Sequence, residues 1–195
     1  KSRMATIATN TQAIEGPLEE LTEVAKFALI HLDSDSLRGG LQDTPKRWAK
    51  MMLDLTSGHD FNFTTFENNG SNEMIVQTAI PFYSLCEHHL IPFFGQATIG
   101  YIPKDKIVGI SKLSRTVEHF SKRLQVQETM TKQIADFVEE RLKPQGVAVV
   151  LRARHLCQEM RGIKKSGAET VTSCLKGVFM NESAARKEFF DLANA

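Results

Sequence analysis

The chain has 195 residues, enough for one domain or for one domain with an appended helical arm. It is 42% hydrophobic and 24% charged, as an ordinary globular protein is, and its net charge of +1 argues against non-specific binding to nucleic acid or membranes. No apolar run approaches the roughly 18 residues that a membrane span requires. Because of the low net charge and the lack of such a run, we expect neither a nucleic-acid nor a membrane partner.

The N-terminal part of the chain is predicted to be helical. Residues 1–16 are mostly polar and are predicted to be disordered, and the first ten lack the apolar stretch of a secretory signal. From Pro17 the apolar residues recur at helical spacing as far as Leu32. A second helix is predicted over residues 43–55, where Asp-Thr-Pro forms a cap and first turn. Residues 17–72 therefore form a predicted helical arm that ends in a loop.

The remainder, residues 73–195, is predicted to be a single α+β domain. Strands rich in β-branched and aromatic residues occur in two pairs with two amphipathic helices between them, in the order β-β-α-α-β-β, followed by a last helix. Strands that occur in neighbouring pairs favour an antiparallel sheet with the helices on one face, whereas a doubly wound parallel sheet requires strict alternation. The predicted elements are strands 74–83 and 95–102, helices 111–124 and 126–142, strands 147–157 and 170–179, and helix 182–193.

Two of the three cysteines lie within three residues of a histidine. Residues 84–90 read Ser-Leu-Cys-Glu-His-His-Leu, and residues 155–157 read His-Leu-Cys. Zinc prefers thiolate and imidazole ligands, and a Cys-x-x-His segment brings both together if it forms a turn. His155 and Cys157 are two positions apart in a predicted strand, so their side chains are expected on the same face of the sheet.

Each of these residues also has a structural interpretation. A buried cysteine commonly acts as a small apolar residue, and a single histidine is more often a satisfied polar group than a metal ligand. The two clusters together favour a metal, and three protein ligands with one position for water is the arrangement of catalytic zinc. A sparse, odd number of cysteines is typical of reduced thiols and favours a cytoplasmic location.

Several motifs, in this order along the chain, resemble those of the GTP cyclohydrolase I family. The resemblance extends over roughly residues 17–193. It rests on Asp-Thr-Pro-Lys-Arg at 43–47, Cys-Glu-His-His at 86–89, Gly-Ile-Ser-Lys-Leu-Ser-Arg at 109–115, Gln-Val-Gln-Glu at 125–128, and His-x-Cys at 155–157 followed by Arg-Gly-Ile at 161–163.

The resemblance implies a fold, an assembly and an activity. The fold is the tunnelling fold, and members assemble as homodecamers of two face-to-face pentamers with active sites at subunit interfaces. The activity is the hydrolytic opening of the imidazole ring of GTP, which releases formate and forms 7,8-dihydroneopterin triphosphate, the first step of pterin and folate synthesis. By motif position, one Zn²⁺ per subunit is held by Cys86, His89 and Cys157, and His88 and His155 serve proton transfer.

The resemblance also implies the contacts to GTP. Glu128, assisted by Gln127, pairs with the guanine edge, because a carboxylate accepts both the N1 and the amino hydrogens. Phosphate contacts are expected at the start of a predicted helix, where amide groups and the helix dipole attract anions. In an alternative assignment, Ser111 of this helix contacts the ribose. The expected phosphate ligands are Ser111, Lys112, Arg115, Arg161, and Arg47 from a neighbouring subunit.

Two other functions are compatible with parts of this pattern. Another tunnelling-fold enzyme that acts on a pterin or deazapurine is one, although the two ligand thiols argue against an all-histidine zinc site. A non-catalytic, zinc-stabilised binding or regulatory protein is the other, although both histidines for proton transfer are present. Formation of formate and a fluorescent neopterin from GTP distinguishes this activity from both alternatives.

Overall fold

The computed structural model describes residues 12–194. It separates the chain into two compact units, with the division between Asp54 and Leu55. Within the described residues, none of the helices has both the length and the apolar character needed to cross a membrane.

The first unit is helical. Helix α1 spans Gln12–Leu32, a short 3-10 turn spans Gly39–Leu41, and helix α2 spans Thr44–Leu55. Residues 12–16, which lie in the segment predicted to be disordered, are part of α1. The rest of the segment predicted to be disordered, residues 1–11, lies outside the described residues.

The second unit is built on a five-stranded sheet. Its four long strands are antiparallel neighbours, and a two-residue strand runs parallel to the end of the first of them. In chain order the sheet strands are β2 (Ile75–Cys86), β3 (Pro92–Ile102), β5 (Leu124–Gln125), β6 (Gly146–His155) and β7 (Glu169–Gly177), and their order in the sheet is β5-β2-β3-β6-β7. A separate pair joins β1 (Thr65–Glu67) to β4 (Lys106–Val108).

Five helices complete this unit. Helices α3 (Ile110–Ser121) and α4 (Gln127–Leu142) separate the two pairs of long strands, so the predicted β-β-α-α-β-β order is confirmed. The fold class, α+β with the organisation of the tunnelling fold, is therefore confirmed as well. The other three helices are α5 (Leu156–Glu159), α6 (Val178–Asn181) and α7 (Ser183–Ala193).

Strand β6 separates two apolar layers. Val149 and Leu151 face α3 and α4 and are fully buried with Ile134 and Val117. The alternate residues, Ala148 and Val150, belong to a smaller cluster on the opposite face with Phe179 of α6 and Phe189 of α7. The C-terminal helices thus cover part of the face that α3 and α4 leave open.

The boundary between the units lies earlier than the boundary predicted at residues 72 and 73. Residues 65–67, which were expected in the loop of the arm, pair with residues 106–108 and so belong to the second unit. The amide of Gly58 also donates to the carbonyl of Lys122. Pairing between positions so distant in sequence leaves no local periodic signal, which is why the sequence indicated only a loop.

Candidate metal centre and active site

Cys86 and His89 are brought together by a tight turn at the end of β2. The carbonyl of Cys86 accepts hydrogen bonds from the amides of His89 (3.3 Å) and Leu90 (2.8 Å), and the Cys86 amide donates to the Ile91 carbonyl (3.0 Å). Leu90 adopts a positive φ of 52°, the left-handed conformation that lets the chain reverse here. The turn that the Cys-x-x-His spacing requires is therefore present.

Cys157 reaches the same place from a helix, which corrects the prediction that it shares a strand face with His155. Strand β6 ends at His155, and Cys157 lies in α5. The ladder stops because the partner strand β3 begins at Pro92, which has no amide hydrogen to continue it. Past this point the chain turns into a helix, and the thiol of Cys157 points toward Cys86.

The three predicted metal ligands form one cluster. One ligand atom each from Cys86, His89 and Cys157 lies within 4.8 Å of the others. Bond lengths of about 2.3 Å to sulfur and about 2.0 Å to nitrogen place ligand atoms around a tetrahedral zinc roughly 3.5–4 Å apart, so small side-chain rotations suffice. Cys86 is buried, Cys157 is half-buried and His89 is exposed, which leaves one side of the cluster accessible. Burial raises the pKa of the Cys157 thiol, and the adjacent Cys86 thiol raises it further.

His155 is held beside this cluster by two contacts. Its ring stacks on Phe93 of β3, with ring centroids 4.7 Å apart and an interplanar angle of 3°. Its Nε2 lies 2.7 Å from Oε1 of Gln127, the first residue of α4. Burial lowers the pKa of His155, and the negative charge of nearby Glu128 opposes this effect without cancelling it.

His88 and Arg161 lie on the accessible side of the cluster. His88 is exposed, and its Nδ1 is 3.6 Å from the sulfur of Cys86. Arg161 is also exposed, and its Nη1 is 2.7 Å from Nε2 of His89, at hydrogen-bonding distance. The structure therefore places Arg161 against a predicted metal ligand, whereas the sequence suggested only a phosphate contact.

The predicted phosphate ligands of α3 lie away from the metal cluster in the same chain. The first half of α3 is beside the start of β2, where Gln77 donates to Ser114. The residues after the other end of α3 pair with Leu85 and Cys86. A helix of 12 residues is about 18 Å long, so Ser111 and Lys112 lie on the order of 20 Å from Cys86.

Arg47 and Arg115 are exposed, in keeping with a role in binding a partner or ligand, but neither is tested by the contacts within one chain. Arg47 lies on α2, in the first unit, and donates to Asp43 at 3.1 Å. Arg115 lines a polar cavity of about 380 Å³ with residues of the loop that precedes β1. Both phosphate assignments therefore stay predictions.

Comparison with known proteins decides the family. The sequence profile described as GTP cyclohydrolase I matches residues 21–194. The chain belongs to the GTP cyclohydrolase I family. This confirms the family that the motifs predicted.

Curated relatives named GTP cyclohydrolase 1 match most of the chain. The relative from Aquifex aeolicus is 47% identical over 175 residues, which cover 89% of this chain and 95% of that protein. The relative from Janthinobacterium is 50% identical over 88% of this chain and 90% of that protein. The relative from Saccharomyces cerevisiae is 47% identical over 90% of this chain and 74% of that protein. A solved structure, archaeosine synthase QueF-Like in the apo form, aligns with a TM-score of 0.47 and 16% identity over 55% of this chain and 96% of that chain.

Two features of this GTP cyclohydrolase I family member escaped the sequence analysis. Phe93, which lies under the ring of His155, was not singled out, because the register of β3 against β6 is not visible in either strand alone. Gln127 was expected to assist Glu128 with guanine, yet its side chain is almost fully buried and bonds to His155 and to strands β6 and β7. The local signal for Phe93 is the aromatic pair Phe93-Phe94, a few residues after the Cys86–His89 motif.

Proposed function

We propose that this protein opens the imidazole ring of GTP by hydrolysis, releases C8 as formate and forms 7,8-dihydroneopterin triphosphate. One observation carries the proposal. In this chain of the GTP cyclohydrolase I family, one ligand atom each from Cys86, His89 and Cys157 lies within 4.8 Å of the other two. Overall, GTP and water give formate and the product, since two waters add in the ring-opening steps and one leaves on ring closure.

The donor set fits one zinc ion. Two thiols and one imidazole would hold it and leave a position on the exposed side of the cluster. When bound, zinc supplies a Lewis acid that makes water a competent nucleophile near neutral pH. The remaining steps need proton transfer and substrate positioning, which the side chains of the chain itself provide.

Proton transfer is assigned to His88 and His155. Carbon 8 of guanine is a weak electrophile, and protonation of N7 makes it more reactive. His88 is the candidate proton donor because it is exposed and adjacent to Cys86. His155, whose lowered pKa favours the neutral form at pH 7, is suited to accept a proton during ring opening or during the later opening of the ribose.

Recognition of guanine is assigned to Glu128. It lies in the first turn of α4, it is exposed, and its charge acts on His155, so it lies near the metal cluster. A carboxylate here accepts both hydrogens of the guanine edge, and adenine would leave it unpaired.

We further propose that a second copy of the chain completes the site. Ser111 and Lys112 lie on the order of 20 Å from Cys86 along α3. That separation is larger than the distance between C8 and the phosphates of one GTP molecule. The phosphate ligands of α3 thus belong to the site of a neighbouring subunit, and Arg47 is likewise contributed across a subunit interface. The assembly that provides these interfaces is a homodecamer of two pentamers.

The direct test is the reaction itself. Purified protein loaded with zinc is incubated with GTP, formate is quantified, and the pterin is detected by fluorescence after oxidation. Equal amounts of formate and neopterin support the proposal, and metal-loaded protein that forms neither product refutes it. The three free thiols support a cytoplasmic location for this activity.

A further inference from the structure

The side-chain amide of Gln127 is buried and lies at hydrogen-bonding distance from the ring of His155. It is 1% exposed, and its Oε1 is 2.7 Å from Nε2 of the histidine. An exposed glutamine would be free to turn its amide toward a ligand. The surroundings of Gln127 determine which way its amide faces.

The amide nitrogen of Gln127 is directed at groups that can accept hydrogen bonds. It lies 3.2 Å from the carbonyl of Leu151 and 3.0 Å from the carbonyl of Thr170, on the two neighbouring strands β6 and β7. A backbone carbonyl can only accept a hydrogen bond, so the nitrogen must face these strands. The oxygen of the amide must then face His155.

Two threonines strengthen this orientation. The hydroxyl of Thr131 donates to the backbone carbonyl of Gln127 (2.7 Å), so it must accept from the hydroxyl of Thr172 (2.6 Å). The Thr172 oxygen is then left to accept from the amide nitrogen of Gln127 at 3.1 Å. These bonds form a closed ring with one direction, and such a ring favours a single amide orientation.

The orientation of Gln127 determines the tautomer of His155. An amide oxygen can only accept, so Nε2 of the neutral histidine carries the proton and donates it to Gln127. The lone pair of the imidazole is then on Nδ1. Stacking on Phe93 at 4.7 Å keeps the ring plane in place while Gln127 determines which nitrogen carries the hydrogen.

We propose that Gln127 is a positioning residue that acts through His155, and that it is not a contact to guanine. This inference rests on the proposed function and changes the role expected for Gln127 from the motif. Its consequence is that the His155 ring is held in one orientation and in one neutral tautomer, with its hydrogen on Nε2.

The test compares Gln127→Met with Gln125→Met. Gln125 is also buried and also donates to a backbone carbonyl, that of Phe120, so its replacement reports the general effect of losing a buried amide. Loss of a partner that orients a metal-bound histidine costs roughly 10- to 100-fold in activity. By analogy, we expect Gln127→Met to lower kcat by about tenfold or more, with KM within about threefold of wild type. Gln125→Met is expected to change kcat by less than about threefold. Zinc content and assembly are measured for both.

A double-mutant cycle identifies the route of the effect. In a His155→Ala background, Gln127→Met is expected to reduce kcat no further, because residues that act through one another are not additive. A milder variant, Thr172→Val, removes one acceptor of the Gln127 amide and is expected to lower kcat by a few-fold with KM unchanged. It keeps the test available if Gln127→Met does not fold.

Several results would overturn the proposal. They are a rise in KM with kcat unchanged, additive losses in the double-mutant cycle, or no loss of turnover in Gln127→Met. ¹⁵N spectra of histidine-labelled protein give a readout that needs no turnover: His155 should show a protonated Nε2 and an unprotonated Nδ1 in wild type, and a mixture of tautomers in Gln127→Met. Wild-type protein that forms no formate would refute the proposed function, while these spectra would still decide the role of Gln127.

Discussion

The rings of Phe93 and His155 are nearly parallel, at an interplanar angle of 3°, on two adjacent strands that pair at these residues. Phe93 is fully buried, so the histidine rests on a side chain that cannot move without disturbing the core. The position of a candidate catalytic group is therefore tied to the packing of the sheet.

Phe93→Leu is expected to reduce turnover about tenfold, because a misplaced catalytic group loses the geometry that the reaction requires. The matched control is Phe82→Leu, which removes the same ring from a neighbouring buried position that touches Phe93 edge-on and not His155. Both variants should lose about 1–2 kcal/mol of stability. Steady-state kinetics and urea unfolding measure the two effects, and equal losses of turnover in both variants would show that the stack has no specific role.

Cys157→Ala is expected to lower zinc affinity by about a hundredfold or more, since loss of one ligand leaves only Cys86 and His89. Cys174→Ala serves as the control, because Cys174 lies on β7 and is not part of the cluster. Elemental analysis after dialysis against a weak chelator measures the bound metal. Full zinc retention in Cys157→Ala would exclude the proposed ligand set.

Mixed assemblies test whether one active site uses residues from two chains. Cys157→Ala and the double variant Lys112→Ala/Arg115→Ala should each have little activity alone. In hybrids made from equal amounts of the two, about a quarter of the sites would combine an intact Cys157 from one chain with intact Lys112 and Arg115 from its neighbour. Activity should therefore reappear. Co-expression of the two chains with different tags, followed by tandem purification, provides the sample. Inactive hybrids of correct size would indicate that each chain contains its own complete site.

Asp136 is expected to stabilise the fold only above acidic pH. Burial raises the pKa of Asp136, but hydrogen bonds from Lys132 and Lys176 outweigh this and hold the pKa below its ordinary value of 3.8. The contribution is therefore complete above pH 3.8 and is lost as the pH falls through the lower pKa of the folded state.

The measurement is urea unfolding of Asp136→Asn at pH 7 and at pH 3. Asp136 is 40% exposed, so solvent screening limits the expected loss at pH 7 to about 0.5 kcal/mol, and the loss should shrink at pH 3. Asp191→Asn breaks a more exposed pair with Lys187 and should have no measurable effect at either pH. A loss that is the same at both pH values would contradict the assignment to the charge of Asp136.

The order of the main elements and the family were determined by the sequence itself. These features are local patterns, which can be recognised without knowing which distant segments come into contact. They are the helical spacing over residues 17–32, the β-branched runs at 74–83 and 147–157, and the motifs at 86–89 and 109–115. The Cys-x-x-His spacing also indicated that Cys86 and His89 can converge if the segment turns, and the structure supplies that turn.

The tertiary structure decided what depends on contacts between distant segments. Strand β6 ends at His155 because the neighbouring strand begins with a proline, so Cys157 comes to the cluster from a helix. The stack of His155 on Phe93 and the amide orientation of Gln127 depend on strand register and on carbonyls of β6 and β7. Such contacts have no local periodicity, so only the folded arrangement of the sheet and α4 specifies them.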